Sequence, residues 1–190
     1  HSHGDWAWAA SSATIMRHYA SHGWVAVAPN HSGNLLSDLG STLPTAHWIH
    51  RPMDIQQSLD QLEELPFGEN ANTGDVLMSG HSFGSSYTAW VSSGATIEKA
   101  DHICDTGEGL EDPESLCSDE ERRIFKSGTL ADDRISATVA MAGSIRESFL
   151  GENGYRDIQV PIMQMSGTND RHEKAERQYQ EVEGIDYRWL

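Results

Sequence analysis

The stretch Asp75–Trp90, DVLMSGHSFGSSYTAW, constrains the fold more than any other part of the chain. It opens with Val76-Leu77-Met78, a short apolar run of the kind a buried strand uses. It then turns through Gly80-His81-Ser82-Phe83-Gly84 and continues into Tyr87, Ala89, Trp90 and Val91, which read as a buried helix. A strand, Gly-x-Ser-x-Gly and a helix in succession form the context of a nucleophile elbow. The reason is steric. A serine on so sharp a turn sits in strained backbone, and side chains two residues to either side would collide with it. Gly80 and Gly84 remove those side chains, and the Ser82 hydroxyl can stand clear of the sheet edge. The bland alternative is a Gly/Ser-rich turn without chemistry, and the flanking strand and helix argue against it.

The 190 residues make one domain with enough chain to bury a core. No apolar run approaches the length of a membrane span. The formal charge of −16 repels nucleic acid and anionic membranes, so neither is expected as a partner. Cys104 and Cys117 flank one acidic stretch containing Pro and Gly. A local disulfide there would staple the stretch and point to an extracellular or periplasmic protein; two free thiols would suit the cytoplasm instead. The disulfide is the expectation, because little else in that stretch would hold it.

Taken in order, a helix is expected around Thr14–Ala20 and an apolar strand over Gly23–Pro29. Asn30–His50, rich in Gly, Ser, Asn and His, reads as a long surface excursion. Pro52 sits where a helix accepts proline in its first turn, and Ile55, Leu59 and Leu62 then share one helical face. After the elbow, Asp101–Gly128 reads as an irregular acidic insertion near the site. Arg134–Ala142 and Val160–Ser166 are further buried strands separated by a loop over Gly143–Asp157. A charged helix over Glu173–Val182 and a last strand over Ile185–Leu190 are expected to follow. Strands alternating with helices predict a mostly parallel α/β sheet covered on both faces.

In such sheets the site forms beyond the carboxyl ends of the strands. His3-Gly4-Asp5, Ser82 and Asp170 all fall there. Taken with SHG at Ser2–Gly4, GWVAVAPNHSGN at Gly23–Asn34, RPMDIQQSLDQL at Arg51–Leu62, GHSFG at Gly80–Gly84, DRISATVAMAG at Asp133–Gly143 and VPIMQMSGTND at Val160–Asp170, the chain resembles the α/β-hydrolase superfamily. Within it, the chain is most similar to the group of predicted dienelactone hydrolases, platelet-activating-factor acetylhydrolases and bacterial polyester hydrolases. The resemblance implies hydrolysis of small or polymeric carboxylic esters through an acyl-enzyme, with no cofactor and no metal.

It also implies roles. Ser82 would be the nucleophile, and the backbone N–H groups of Phe83 and Asp5 would form the oxyanion hole. Asp5 departs from the family, where an apolar residue is more usual. Asp170 would orient the histidine; its other reading is a helix N-cap. The family's histidine lies beyond the strand after the acid, which places it past Leu190 and reads the chain as part of a longer hydrolase lacking its first strands. His172 is too close to Asp170 in the chain to bridge it to Ser82. His81 reads as packing behind the nucleophile, and His31, His47 and His50 read as surface residues. Trp6 and Trp48 are expected to line an apolar cleft, while Trp24 and Trp90 are expected in the core. Two other functions use the same residues: a non-catalytic binding protein of this fold that has lost its base, and an acyltransferase. Oligomeric state leaves no mark in the sequence.

Overall fold

The computed structural model describes residues 1–41, 43–110, 116–156 and 158–167. Three strands, β1 (Val76–His81), β2 (Ile135–Met141) and β3 (Ile162–Met165), pair in parallel in that order. The register sets Met78 opposite Thr138, and Thr138 opposite Ile162. At the other edge of β1 the Ser2 N–H donates to Ser79 O at 2.9 Å, and the His81 N–H donates to Ser2 O at 3.1 Å. Four chain segments thus run the same way and open their carboxyl ends on one side. The class is α/β, with a small parallel sheet. Val, Ile and Thr in β1 and β2 favour a pleated surface, and Met78, Ile135, Thr138 and Ala140 are all buried.

Two buried apolar clusters flank this sheet. The smaller joins Met78 and Ile135 to Ile55 and Leu59 of helix α2 (His47–Glu64) and to Ala89. The stripe Ile55, Leu59 and Leu62 is buried as its spacing predicts. Helix α2 starts earlier than the sequence suggests, so Pro52 lies inside it and not in its first turn. Burial of Trp48 and Ile49 against the larger cluster outweighs the carbonyl that Pro52 leaves without a donor.

The larger cluster is aromatic. Trp48 stacks on Phe149 with ring centroids 3.7 Å apart and meets Tyr87 edge-on at 4.7 Å. Both faces of Trp48 are therefore used by the core, and it does not line a cleft. The chain leaving the elbow winds wide over Gly84–Ala89, with i→i+5 turns, before tightening into α3 (Trp90–Ser92). This segment is deeply buried, with Tyr87, Thr88, Ala89 and Trp90 all at 0 % exposure.

Among the described residues, the region expected as an irregular insertion carries two helices, α4 (Ala100–Thr106) and α5 (Asp119–Ser127). Ser118 and Glu121 form a capping box at the start of α5, and Gly107 and Gly128 close the two helices in left-handed conformation. The Cys104–Cys117 disulfide joins α4 to the start of α5, and Ile103, Cys104 and Phe125 reach the aromatic core. Core contacts, not only the disulfide, thus hold α4 and α5. A short helix, α6 (Glu147–Leu150), lies within the expected loop and buries Phe149 and Leu150.

Helix α1 (Ala13–Ser21) forms where expected but buries no residue. The strand expected over Gly23–Pro29 has no ladder partner among the described residues, and Trp24 is 47 % exposed rather than in the core. Apolar alternation supplies β-propensity, but a strand exists only with a neighbour to pair with. In this segment Val27 O accepts from the His1 backbone nitrogen at 2.7 Å. A groove of about 310 Å³, lined by Trp24, Val27, Leu59, Leu62 and Leu77, separates it from β1 and α2. No helix among the described residues is long and apolar enough to cross a membrane.

Candidate active site

Among the described residues, Ser82 is one of three non-glycine residues with positive φ, at +54°, and it sits directly after β1. That conformation costs an L-residue roughly 1–2 kcal/mol and persists only where the surroundings enforce it. Here they do. A methyl on Gly80 would fall 2.1 Å from Gly84 O, and one on Gly84 would fall 2.2 Å from Ser2 O. Beyond the two motif glycines, a methyl on Gly143 would lie 2.7 Å from Ser82 O and one on Gly4 would lie 3.1 Å from Ser82 Cβ. Four close approaches therefore surround the serine. Only the first pair belongs to the sequence motif.

The Ser82 N–H continues the ladder to Met141 O at 3.0 Å, and Ser82 O accepts from Ser85 and Ser86, starting the elbow helix. The side chain is partly exposed. Its hydroxyl has no hydrogen-bond partner among the described residues. His81, expected to pack behind the nucleophile, is exposed; its ring lies beside Gly4.

Phe83 begins the elbow helix, and its backbone N–H donates to no described residue. The same is true of the Asp5 N–H, at the end of the segment that pairs with β1. The Asp5 side chain is 31 % exposed and points back toward Arg51, with Oδ1 3.8 Å from Nη1. Burial raises the Asp5 pKa, and the Arg51 and Arg146 charges pull it back. The Asp5 carboxylate thus lies within the field of two guanidinium groups.

Both guanidinium groups lie on rings. Arg51 is 4.7 Å from the Phe83 ring centroid, and Arg146 lies 5.0 Å from Trp48 and 5.7 Å from Phe83. Arg51 is wholly buried and donates to Asn34 Oδ1 at 2.7 Å, to Ser2 Oγ at 3.0 Å and to His3 O. His31, at 0 % exposure, bonds Asp54 Oδ2 through Nδ1 at 2.7 Å and Ser2 Oγ through Nε2 at 3.0 Å. His47 is buried as well. The surface roles expected for His31 and His47 are therefore wrong; only His50 is exposed. Burial is the main cause that holds all three inner histidines neutral, lowering His3 to about 4 and His47 to about 3 and depressing His31 further.

Sequence reasoning missed this polar layer, yet one signal was present. Arg51 falls one turn before Ile55 on the apolar stripe Ile55–Leu59–Leu62, and a charge on such a stripe must be buried and paired. Trp6, also with positive φ, is partly exposed beside Asp5. Asp170 and His172 lie outside the described residues. Among the described residues no cluster of His, Cys, Asp and Glu has the geometry to hold a metal ion. The chain matches no protein-family model, no curated protein and no solved structure.

Proposed function

We propose that this protein is a serine hydrolase of carboxylic esters, built on an α/β-hydrolase fold, that forms an acyl-enzyme at Ser82. The observation that carries the proposal is Ser82 itself: a partly exposed serine in left-handed backbone, at the carboxyl end of a parallel strand, enclosed by Gly4, Gly80, Gly84 and Gly143. A turn without chemistry has no need of so crowded a serine.

In the proposed mechanism the Ser82 hydroxyl attacks the ester carbonyl. A histidine that follows Asp170 in the chain takes the hydroxyl proton and returns it to the leaving alcohol, with Asp170 orienting the ring. The carbonyl oxygen gains negative charge and is met by the N–H groups of Phe83 and Asp5, both of which are uncommitted to other described residues. One such donor is worth about 3 kcal/mol of transition-state stabilisation. Water then repeats the attack and frees Ser82. The substrate is a small or polymeric ester, and Trp6 supplies an aromatic surface next to Asp5. The Cys104–Cys117 disulfide is compatible with an extracytoplasmic setting, which we also propose.

The test is p-nitrophenyl butyrate hydrolysis together with labelling by a fluorophosphonate, with Ser82→Ala beside the parent. The protein is assayed as this chain and with whatever native sequence flanks it. Turnover and labelling that both vanish in Ser82→Ala are expected. Absence of both in every parent form would overturn the hydrolase reading in favour of a non-catalytic protein of this class.

A further inference from the structure

Beneath the elbow lies a polar network that the proposed chemistry does not use, and its protons can be assigned without conflict. Asp54 only accepts, so His31 Nδ1 carries the ring proton and donates to Oδ2 at 2.7 Å. His31 Nε2 is then an acceptor for the Ser2 hydroxyl at 3.0 Å. Ser2 Oγ in turn accepts from Arg51 Nη2 at 3.0 Å. In parallel, the His31 backbone N–H donates to His3 Nε2 at 3.1 Å, which leaves the His3 proton on Nδ1, donated to Gly4 O at 2.7 Å.

Ser2, His31 and Asp54 copy the hydrogen-bond order of a catalytic triad. They cannot act as one. Ser2 has no exposed surface, its oxygen is occupied by Arg51, and its backbone is locked between Ser79 and His81. What the network does hold is the backbone from Ser2 to Asp5. Arg51 bonds the His3 carbonyl, the His3 ring bonds the Gly4 carbonyl, and the next N–H is that of Asp5. While its N–H edge makes these bonds, the Arg51 guanidinium lies over the Phe83 ring, 4.7 Å from the centroid. One buried side chain thus touches both the segment leading to Asp5 and the side chain of Phe83, whose N–H groups form the oxyanion hole in the proposed mechanism.

We propose that Arg51 is a positioning residue that sets the spacing of the Asp5 and Phe83 N–H groups, and that the Asp54–His31–Ser2 relay fixes the plane of its guanidinium. The inference rests on the reading of Ser82 as an acyl-enzyme nucleophile. An oxyanion hole works only while its donors stay within about 0.5 Å of their places. A planar fork with donors in fixed directions meets that demand while stacked on an aromatic ring. A lysine ammonium has neither the plane nor the reach to Asn34, Ser2 and His3 together.

The test uses Arg51→Lys and Ser2→Ala, the second because it removes one hydroxyl and leaves the strand pairing, which uses only the Ser2 backbone. Both are followed by kcat and KM for p-nitrophenyl butyrate and by the amide ¹H–¹⁵N resonances of Asp5 and Phe83. For Arg51→Lys, kcat is expected to fall about 10²-fold with KM within about threefold, as for loss of an oxyanion donor. For Ser2→Ala, kcat is expected to fall about tenfold in protein that remains folded. Both variants are expected to shift both amide resonances. If Arg51→Lys does not fold, Ser2→Ala decides alone. Folded variants with unchanged kcat overturn the proposal whatever happens to Tm. If the parent hydrolyses no ester, the hydrolase reading is what fails, and the amide resonances still decide: unmoved Asp5 and Phe83 signals overturn the positioning role.

Discussion

Gly80→Ala probes whether crowding around the elbow is what fixes Ser82. The added methyl falls 2.1 Å from Gly84 O, 2.3 Å from its carbonyl carbon and 2.7 Å from Ser85 N. Ordinary contact begins near 3.4 Å, so one of the two backbones must retreat by about 1.3 Å in an interior packed like an organic crystal. Neither has room to do so. At this height β1 is bonded to Ser2 on one side and to β2 on the other, and the elbow helix is fully buried over Tyr87–Trp90. Overpacking of this kind costs about 1–3 kcal/mol, and backbone on both sides puts the expected value near the top of that range. For a chain of this size, that lowers Tm by about 6–12 °C.

The same displacement reaches Ser82, and a misplacement of about 1 Å costs on the order of 10²-fold in rate. Gly84→Ala divides the two effects. Its methyl meets Ser2 O at 2.2 Å and His3 O at 2.7 Å, so the strain falls on the segment leading to Asp5 and less on the core. A smaller loss of stability with a comparable loss of fluorophosphonate labelling is expected. Gly74→Ala is the control, because its nearest neighbour would be Asn72 Oδ1 at 3.7 Å; it should stay within about 0.5 kcal/mol of the parent. Urea unfolding followed by tryptophan fluorescence, paired with the labelling rate, reads both quantities. Gly80→Ala with parent stability and parent labelling would falsify the steric argument.

Reducing the Cys104–Cys117 bond, or replacing both cysteines by alanine, releases a loop with a sequence separation of 13. The chain-entropy value is about 3 kcal/mol, which corresponds to a fall in Tm of about 6–12 °C. A fall under about 2 °C would mean that the packing of α4 on α5 suffices. The exposed pairs of Asp101 with Arg122 and Lys126 are too weak to do so alone. The second expectation concerns pH. The inner histidines titrate well below their unfolded value of about 6.5, so between pH 6.5 and 4 the unfolded chain binds protons that the native state refuses. The stability that these histidines contribute is therefore full above about pH 6.5 and falls on acidification, by up to about 1.4 kcal/mol per pH unit for each. Asp5 and Asp54, whose pKa values are raised by burial, oppose this only once the pH reaches their own range. Urea midpoints at pH 7.5 and 5 check the sign, and a midpoint equal or higher at pH 5 would refute the neutral assignment.

What was legible in the sequence is what local chemistry enforces. The elbow needs two glycines and a serine within five residues, and no distant contact can substitute for them. Strands β2 and β3 and the stripe of α2 follow from runs whose own period commits them to one face. Gly23–Pro29 has the residues of a strand, but pairing is a property of its neighbour, and among the described residues it has none. Trp48 and Ile49 looked like part of a loop, because only the distant Phe149 and Tyr87 make it worth extending α2 around them. The polar layer divides in the same way. His31 gives no local sign of burial, since its partners Ser2 and Asp54 lie 29 and 23 residues away. Arg51 does give one: it stands on a stripe that must be buried, where a charge survives only with partners on every side. A charged residue on an apolar stripe is therefore the point at which a sequence announces a non-local polar network without naming its members. In this chain that point lies against the two backbone segments that the proposed chemistry would use.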